Sequence, residues 1–156
     1  MYFFVGLLIL AIDIATKYWT QSHLPHLYST EAVYPYGGIP IFQNFLGIEF
    51  SWVYTTNKGA AWGLGAEYQM GLMVARILLV TALAFYAIFI NKKSIFNWGL
   101  TLVLAGAIGN IFDYFIYGHV VDMFHFNLWG YNFPVFNVAD SSITLGILWL
   151  LFASYL

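Results

Sequence analysis

The sequence lacks cysteine and carries little charge. The absence of cysteine from its 156 residues excludes disulfides, thiolate metal sites and a cysteine nucleophile. Only 8% of the residues are charged and 62% are hydrophobic, whereas about a quarter of a soluble domain is charged. One small core cannot bury so many apolar side chains, so the composition predicts a protein that lies in lipid. The net charge of −2, with no basic run, indicates that nucleic acid is not a partner.

Four apolar stretches are long enough to cross a bilayer, which takes about 20 residues per helix. They predict transmembrane helices at about 2–21, 70–90, 97–117 and 138–156. The first stretch has neither a basic leader nor a small-residue cleavage site, so we interpret it as a helix rather than a removable signal peptide. The prediction is one integral-membrane domain over 1–156.

Two lysines predict the orientation of these helices. Lys92 and Lys93 lie in the short loop between the second and third stretches, which the positive-inside rule makes cytoplasmic. Four spans then leave both termini cytoplasmic and the segments at about 23–69 and 118–137 outside. On this topology the charges within or beside the spans gather near the outer face: Asp13, Lys17, Arg76, Asp113, Asp122 and Asp140. Packing alone explains such one-sided clustering poorly.

The first outer segment has the pattern of a small β-sheet. From 48 to 55 apolar and polar residues largely alternate, with Val53 as the exception. Alternation of β-branched and aromatic residues is typical of a strand with one apolar face. The residues at 39–45 predict a partner strand, with a turn near 44–47. The predicted fold class is therefore a membrane all-α protein with a small extracytoplasmic β-sheet at about 39–56.

Asp122 and Asp140 are the strongest candidates for catalysis. They flank the second outer segment, which returns the chain to the same membrane level. Acids near a membrane span are costly and usually functional. Two nearby carboxylates in low dielectric do not both ionise, so one can deprotonate a water while the other polarises a carbonyl.

Each aspartate taken singly also has a structural interpretation. Asp140 could complement the dipole of a helix N-terminus, with Ser141 and Ser142, and Asp122 could pair with a neighbouring histidine. His119, Asp122 and His125 could also bind zinc with Asp140 as a fourth ligand. Positions i and i+6 do not share a helix face, which weakens this metal-site hypothesis.

Two shorter patterns have structural or binding interpretations. The i, i+4 spacing of Asp13 and Lys17 predicts an ion pair that fixes helix packing. Asn57 and Gly59 follow the predicted strand, where an amide and a glycine could meet an extended peptide backbone. An ordinary turn accounts for the same residues.

The third helix and the start of the fourth each carry an asparagine. Gly106 and Gly109 allow close helix contact, across which Asn110 can hydrogen-bond. Asn137, three residues before Asp140, can cap the fourth helix or orient a carboxylate, and these roles are compatible.

Five motifs in order resemble the lipoprotein signal peptidases (signal peptidase II), the integral-membrane aspartyl proteases of bacteria. They are DIATK at 13–17, NKGAAWG at 57–63, GAIGNIFD at 106–113, HVVD at 119–122 and FNVADS at 136–141. The resemblance implies removal of the signal peptide from prolipoproteins, just before a cysteine carrying a diacylglyceryl group.

The resemblance also implies roles for individual residues. Asp122 and Asp140 correspond to the catalytic pair. Substrate contacts are expected from Asn57, Gly59, Asn110 and Asn137, the last also as a supporting residue, and structural support from Asp13, Lys17 and Asp113. The outer β-segment is similar to the family's substrate cradle. We expect no metal or organic cofactor, and a monomer in the bacterial cytoplasmic (inner) membrane with its active site towards the outer face.

One position departs from the family pattern. Tyr114 follows Asp113 where an arginine is usual, and a tyrosine lacks the charged fork of arginine. Asp113 is then expected to lack its usual partner, with Arg76 as a substitute. The same residues also allow two other functions: a small proton-coupled carrier or channel subunit that uses the acids as a relay, and a metallopeptidase that uses HVVDMFH.

Overall fold

The computed structural model describes residues 1–27, 29, 37–58 and 66–156. The elements follow in this order: α1 (Tyr2–His23), β1 (Ile39–Phe45), β2 (Ile48–Asn57), a 3₁₀ turn (Ala66–Tyr68), α2 (Gln69–Phe85), a π-helical turn (Tyr86–Ile90), α3 (Ser94–Tyr117), β3 (Val120–Leu128), β4 (Tyr131–Asn132) and α4 (Val138–Ser154). The four predicted helices are present, and when the π turn is counted with α2 their ends differ from the predicted ones by three residues or fewer.

The helices have apolar outer surfaces and a partly polar interior. Within the described ranges, three are long and apolar enough to cross a membrane: α1, α2 with its π turn, and α3. The apolar helix α4 is shorter, at 17 residues. On α1, Phe3 and Phe4 are exposed, whereas Asp13, Lys17 and Thr20 are buried. This arrangement suits a protein that contacts lipid and keeps its charges inside.

Helix α3 is central and packs against α1, α2 and α4. Its contact with α4 is close because glycines face backbone. A Cβ added at Gly99 would lie 2.8 Å from the Gly146 carbonyl oxygen, and one added at Gly146 would lie 2.7 Å from the Gly99 carbonyl oxygen. A Cβ at Gly106 would collide with the carbonyl oxygen of Ala139. Small residues thus bring the first turn of α4 against the middle of α3.

The sheet is antiparallel and has four strands in the order β1-β2-β3-β4. The predicted hairpin of β1 and β2 is confirmed, and its turn contains Asn44, Leu46 and Gly47 at positive φ. In the pairing of β2 with β3, Phe50 lies opposite Phe126, and Thr55 lies opposite Asp122. The rings of Phe50 and Phe126 stack with their centroids 4.4 Å apart.

The second outer segment corrects the prediction of an all-α protein with β-structure at 39–56 alone. The sequence predicts no strand in the outer segment at 118–137, yet this segment supplies β3 and β4. One face of β3 is formed by every second residue, and it is apolar at Val120, Phe124, Phe126 and Leu128. Asp122 lies on the same face and interrupts the apolar pattern. The acid and two nearby histidines obscured the alternation. The sheet therefore carries one of the candidate catalytic residues.

Candidate active site

Asn137 connects the two candidate catalytic aspartates. Its Nδ2 donates to Oδ1 of Asp122 on β3 at 2.7 Å, and its Oδ1 accepts the backbone N–H of Asp140 at 2.8 Å. Oδ2 of Asp140 in turn accepts the backbone N–H of Asn137 at 3.3 Å, which completes a capping box at the start of α4. Both predicted roles of Asn137, capping the helix and orienting a carboxylate, are confirmed.

Asn110 joins this pair to α3. Its Nδ2 donates to Oδ1 of Asp140 at 2.8 Å. Its Oδ1 accepts from Nδ2 of Asn137 at 3.2 Å and from Nζ of Lys17 at 3.0 Å. The prediction that Asn110 hydrogen-bonds between helices is therefore confirmed.

Lys17, Asp13 and Asp113 form a buried ion triad beneath the pair. Nζ of Lys17 lies 2.7 Å from Oδ2 of Asp13 and 2.8 Å from Oδ2 of Asp113. The predicted i, i+4 ion pair is confirmed, and it has a second carboxylate that the sequence does not predict. The cation beside Asp113 is Lys17, and not Arg76 as the sequence suggests. Asp113 therefore has a cationic partner although residue 114 is a tyrosine.

The ion triad also fixes the elements that carry the two aspartates. Oδ1 of Asp13 accepts the backbone N–H of Ala139 at 2.8 Å, next to Asp140. Oδ2 of Asp113 accepts the backbone N–H of Val121 at 3.2 Å, next to Asp122. Each acid of the triad thus holds the residue that precedes one of the two aspartates.

Asp122 lies in an environment that disfavours its charge. The residue is 3% exposed. Burial raises the pKa of its carboxyl well above the ordinary value of 3.8, and the charge of Asp140 raises it further, while the hydrogen bond from Asn137 opposes the shift. A buried carboxyl beside a second carboxylate favours its protonated form, which can donate a proton.

The histidines do not assemble a site with Asp122. Successive residues of a strand point to opposite faces, so Asp122 and His125, three positions apart on β3, face opposite ways. In the part of the chain that the structure describes, no group of three or more His, Cys, Asp or Glu side chains is placed to hold a metal ion. The partner of the Asp122 side chain is Asn137 rather than a histidine. Burial lowers the pKa of both His119 and His125.

A cleft beside the pair is a feature that the sequence does not predict. It lies between α2, α3 and α4 and has a volume of about 330 Å³. Asn110 and Arg76 contribute its polar lining, and the rest is apolar, including Leu79, Leu83, Ala107, Ile143 and Ile147. Only the packing of three helices reveals it, since each lining residue alone is ordinary for a membrane helix.

Asn57 is the remaining predicted substrate-contact residue that the structure describes. Asn57 ends β2 opposite Val120, two residues from Asp122. Gly59 lies outside the described residues, as does most of the motif at 57–63. Tyr114 is half-buried on α3, directly after Asp113.

Comparisons with known proteins agree with this architecture. The family model described as signal peptidase (SPase) II matches residues 5–156. The lipoprotein signal peptidase of Latilactobacillus sakei subsp. sakei is 34% identical over 151 residues, which cover 95% of this chain and 89% of that protein. That of Chlamydia pneumoniae is 45% identical over 102 residues, covering 64% and 60%.

The fold is also similar to a solved structure. A bacterial membrane enzyme, determined by the in meso method at 2.3 Å resolution, superposes with a TM-score of 0.82 at 26% identity, over 99% of this chain and 87% of that one. The ordered motifs, the family match over nearly the whole length and the shared fold agree, and the chain belongs to the signal peptidase II family of bacterial membrane proteases.

Proposed function

We propose that the chain is an aspartic endopeptidase that removes the signal peptide from prolipoproteins, with Asp122 and Asp140 as its catalytic pair. The observation that supports this most is the bridge through Asn137, which hydrogen-bonds to both residues. The relatives are named lipoprotein signal peptidases. The carrier considered from the sequence is not favoured, since the chain belongs to a peptidase family.

The chemistry needs one ionised and one protonated carboxyl. The ionised group removes a proton from a water, whose oxygen attacks the peptide carbonyl carbon. The protonated group donates to the carbonyl oxygen as it gains charge. The raised pKa of Asp122, caused by burial and then by the charge of Asp140, supports such a division between the two groups.

The apolar cleft suits a substrate that stays partly in the membrane. Its walls on α2, α3 and α4 can accept hydrocarbon, while Asn110 at its lining hydrogen-bonds to Asp140. We propose that the cleft takes the apolar part of a diacylglyceryl-modified precursor and that Asn57, Gly59, Asn110 and Asn137 surround the peptide. We propose that the lipid remains in the bilayer while the peptide bond just before the modified cysteine is cleaved.

The proposed orientation follows the positive-inside rule. Lys92 and Lys93, between α2 and α3, mark the cytoplasmic side. Four spans then place both termini in the cytoplasm and the sheet with Asp122 at the outer face of the cytoplasmic membrane. The protein works there as a monomeric single domain, without nucleic acid or a metal.

Cleavage of a synthetic precursor peptide tests this function. Purified protein in detergent should cut a peptide with a diacylglyceryl cysteine just before that residue, with the same rate in EDTA. A matched peptide with an unmodified cysteine should be a poor substrate. Equal cleavage of both peptides would contradict the lipid requirement, and loss of activity in EDTA would contradict an aspartic mechanism.

A further inference from the structure

Lys17 determines which way the amide of Asn110 points. An ammonium group has three donors and no acceptor, so the group facing Nζ of Lys17 at 3.0 Å must be the oxygen of Asn110. The amide nitrogen of Asn110 must then face Oδ1 of Asp140, where it donates at 2.8 Å. Asp140 therefore receives a fixed donor from α3.

The orientation of Asn137 is fixed in the same way. The backbone N–H of Asp140 can only donate, so Oδ1 of Asn137 faces it at 2.8 Å. Nδ2 of Asn137 must then point away, where it donates to Oδ1 of Asp122 at 2.7 Å. If either amide rotated by 180°, its N–H group would face another donor and its oxygen would face another acceptor.

These two amides treat the two aspartates unequally. Asp140 accepts an N–H on each oxygen, from Nδ2 of Asn110 and from the backbone of Asn137, and such bonds favour the ionised form. Within the described ranges, the side chain of Asp122 accepts a hydrogen bond at Oδ1 alone. Its Oδ2 is left to carry a proton, in keeping with its burial.

We propose that Lys17 is a positioning residue which, through Asn110, makes Asp140 the ionised base and Asp122 the protonated acid, with the proton on Oδ2. This inference rests on the proposed function of the pair. Among the described residues, the charges that act on Asp140 are those of Lys17 and Asp13 from α1 and of Asp122 from β3, and Asp113 from α3 pairs with the same Lys17.

The assignment gives a balanced cycle. Asp140 takes a proton from water as the water oxygen bonds to the peptide carbonyl carbon, and Asp122 gives its Oδ2 proton to the carbonyl oxygen. Asp140 then passes its proton to the peptide nitrogen as the carbon–nitrogen bond breaks, while Asp122 recovers a proton from one hydroxyl of the intermediate. The products are a carboxylic acid and an amine, and both aspartates regain their starting states.

Infrared spectroscopy of the resting full-length protein tests the proton's location without turnover. The spectra of wild type, Asp122→Asn and Asp140→Asn are compared at the pH of maximal activity, in the region of the protonated carboxyl C=O stretch. The proposal predicts that one carboxyl's signal is lost in Asp122→Asn and retained in Asp140→Asn. The reverse pattern, loss in both variants or no change in either would overturn it.

The pH dependence of kcat tests the part played by Lys17. In Asp13→Asn with Lys17→Gln the net charge of the ion triad is unchanged, but residue 17 can then accept a hydrogen bond as well as donate one. The acid limb of the kcat profile should move upward by about one pH unit, with KM changed less, and Lys17→Arg should keep the wild-type limb. A fall in activity with the limb in place would show a merely structural role and overturn the proposal.

The two tests separate this inference from the proposed function. If Asp122→Asn or Asp140→Asn cleaves at a near wild-type rate, the catalytic pair itself is wrong. If both variants are inactive and the carboxyl signal is lost with Asp140 rather than Asp122, the function stands and the assignment fails. The infrared comparison leaves Lys17 unchanged, so it remains decisive even if the double variant does not fold.

Discussion

Nζ of Lys17 on α1 lies 2.8 Å from Oδ2 of Asp113 on α3, and both residues are buried among apolar helices. The same ammonium pairs with Asp13 at 2.7 Å. Charges in such a place are tolerated only when they are paired. The pairing also extends to the site, because Asp13 and Asp113 hold the backbone beside Asp140 and Asp122.

Replacing Lys17 by methionine should destabilise the fold severely. The substitution leaves two buried carboxylates without their cation, and breaking a buried pair in this way costs about 3–5 kcal/mol. Thermal unfolding in detergent measures the change. Lys92→Met, at an exposed position in the loop before α3, is the matched control and should unfold like the wild type. Equal stability of the two variants would mean that the triad does not hold the helices together.

Gly106→Ala should separate α3 from the start of α4. The new Cβ collides with the carbonyl oxygen of Ala139, and backbone cannot move aside as a side chain end can. We expect a loss of about 1–3 kcal/mol and a fall in kcat, because the contact between Asn110 and Asp140 widens. Gly71→Ala on α2 is the control, since a Cβ there meets no atom within 4 Å. Matching losses in the two variants would contradict the close α3–α4 contact.

Asp122→Asn should make the protein more stable than the wild type, and this advantage should grow as the pH rises out of the acidic range. Burial, and then the charge of Asp140, raise the pKa of Asp122 in the folded protein well above 3.8. The folded state thus binds this proton more tightly than the unfolded state, and wild type loses stability as the pH rises from about 3.8 through the raised pKa. Asparagine does not titrate, so the variant escapes this loss.

Unfolding temperatures from about pH 4 to pH 8 measure the effect. The advantage of Asp122→Asn should be absent at the acidic end and grow with pH. Glu67→Gln, at an exposed acid before α2, should give no such trend. A difference between wild type and Asp122→Asn that stays constant with pH would contradict a raised pKa.

Ala107→Phe should obstruct the apolar cleft. Ala107 lies in its wall on α3, and a phenyl ring there would occupy much of the space between α2 and α4. The KM for the lipid-modified peptide should rise several-fold while the unfolding temperature changes little. The same substitution at Ala11, which is exposed on α1 away from the cleft, is the control. If both variants keep the wild-type KM, the substrate does not use the cleft.

Local patterns were sufficient to predict the helices and the hairpin. Apolar runs of about 20 residues and a largely alternating pattern are signals that each segment carries by itself. The capping role of Asn137 is local too, since it acts on Asp140 three residues later. The five ordered motifs likewise indicate the family from the sequence alone.

Long-range relationships could not be obtained in this way. The sequence shows that Lys17 is four residues from Asp13, but not that Asp113 and Asn110 on another helix meet the same ammonium. Strand β3 was missed because its register is set by β2, while Asp122 interrupts its apolar pattern. The cleft depends on how three helices pack, so no single segment encodes it.

The most direct test of the catalytic pair is the rate at which the two aspartate variants cleave a diacylglyceryl-modified precursor peptide. Asp122→Asn and Asp140→Asn keep the size of the side chain and its carbonyl oxygen, so both variants should fold. The unfolding transition of each purified protein verifies this. Each variant should lose about 10²-fold to 10⁴-fold in kcat, as expected when a general acid or base is removed. Cleavage by either folded variant at a near wild-type rate would contradict the catalytic pair.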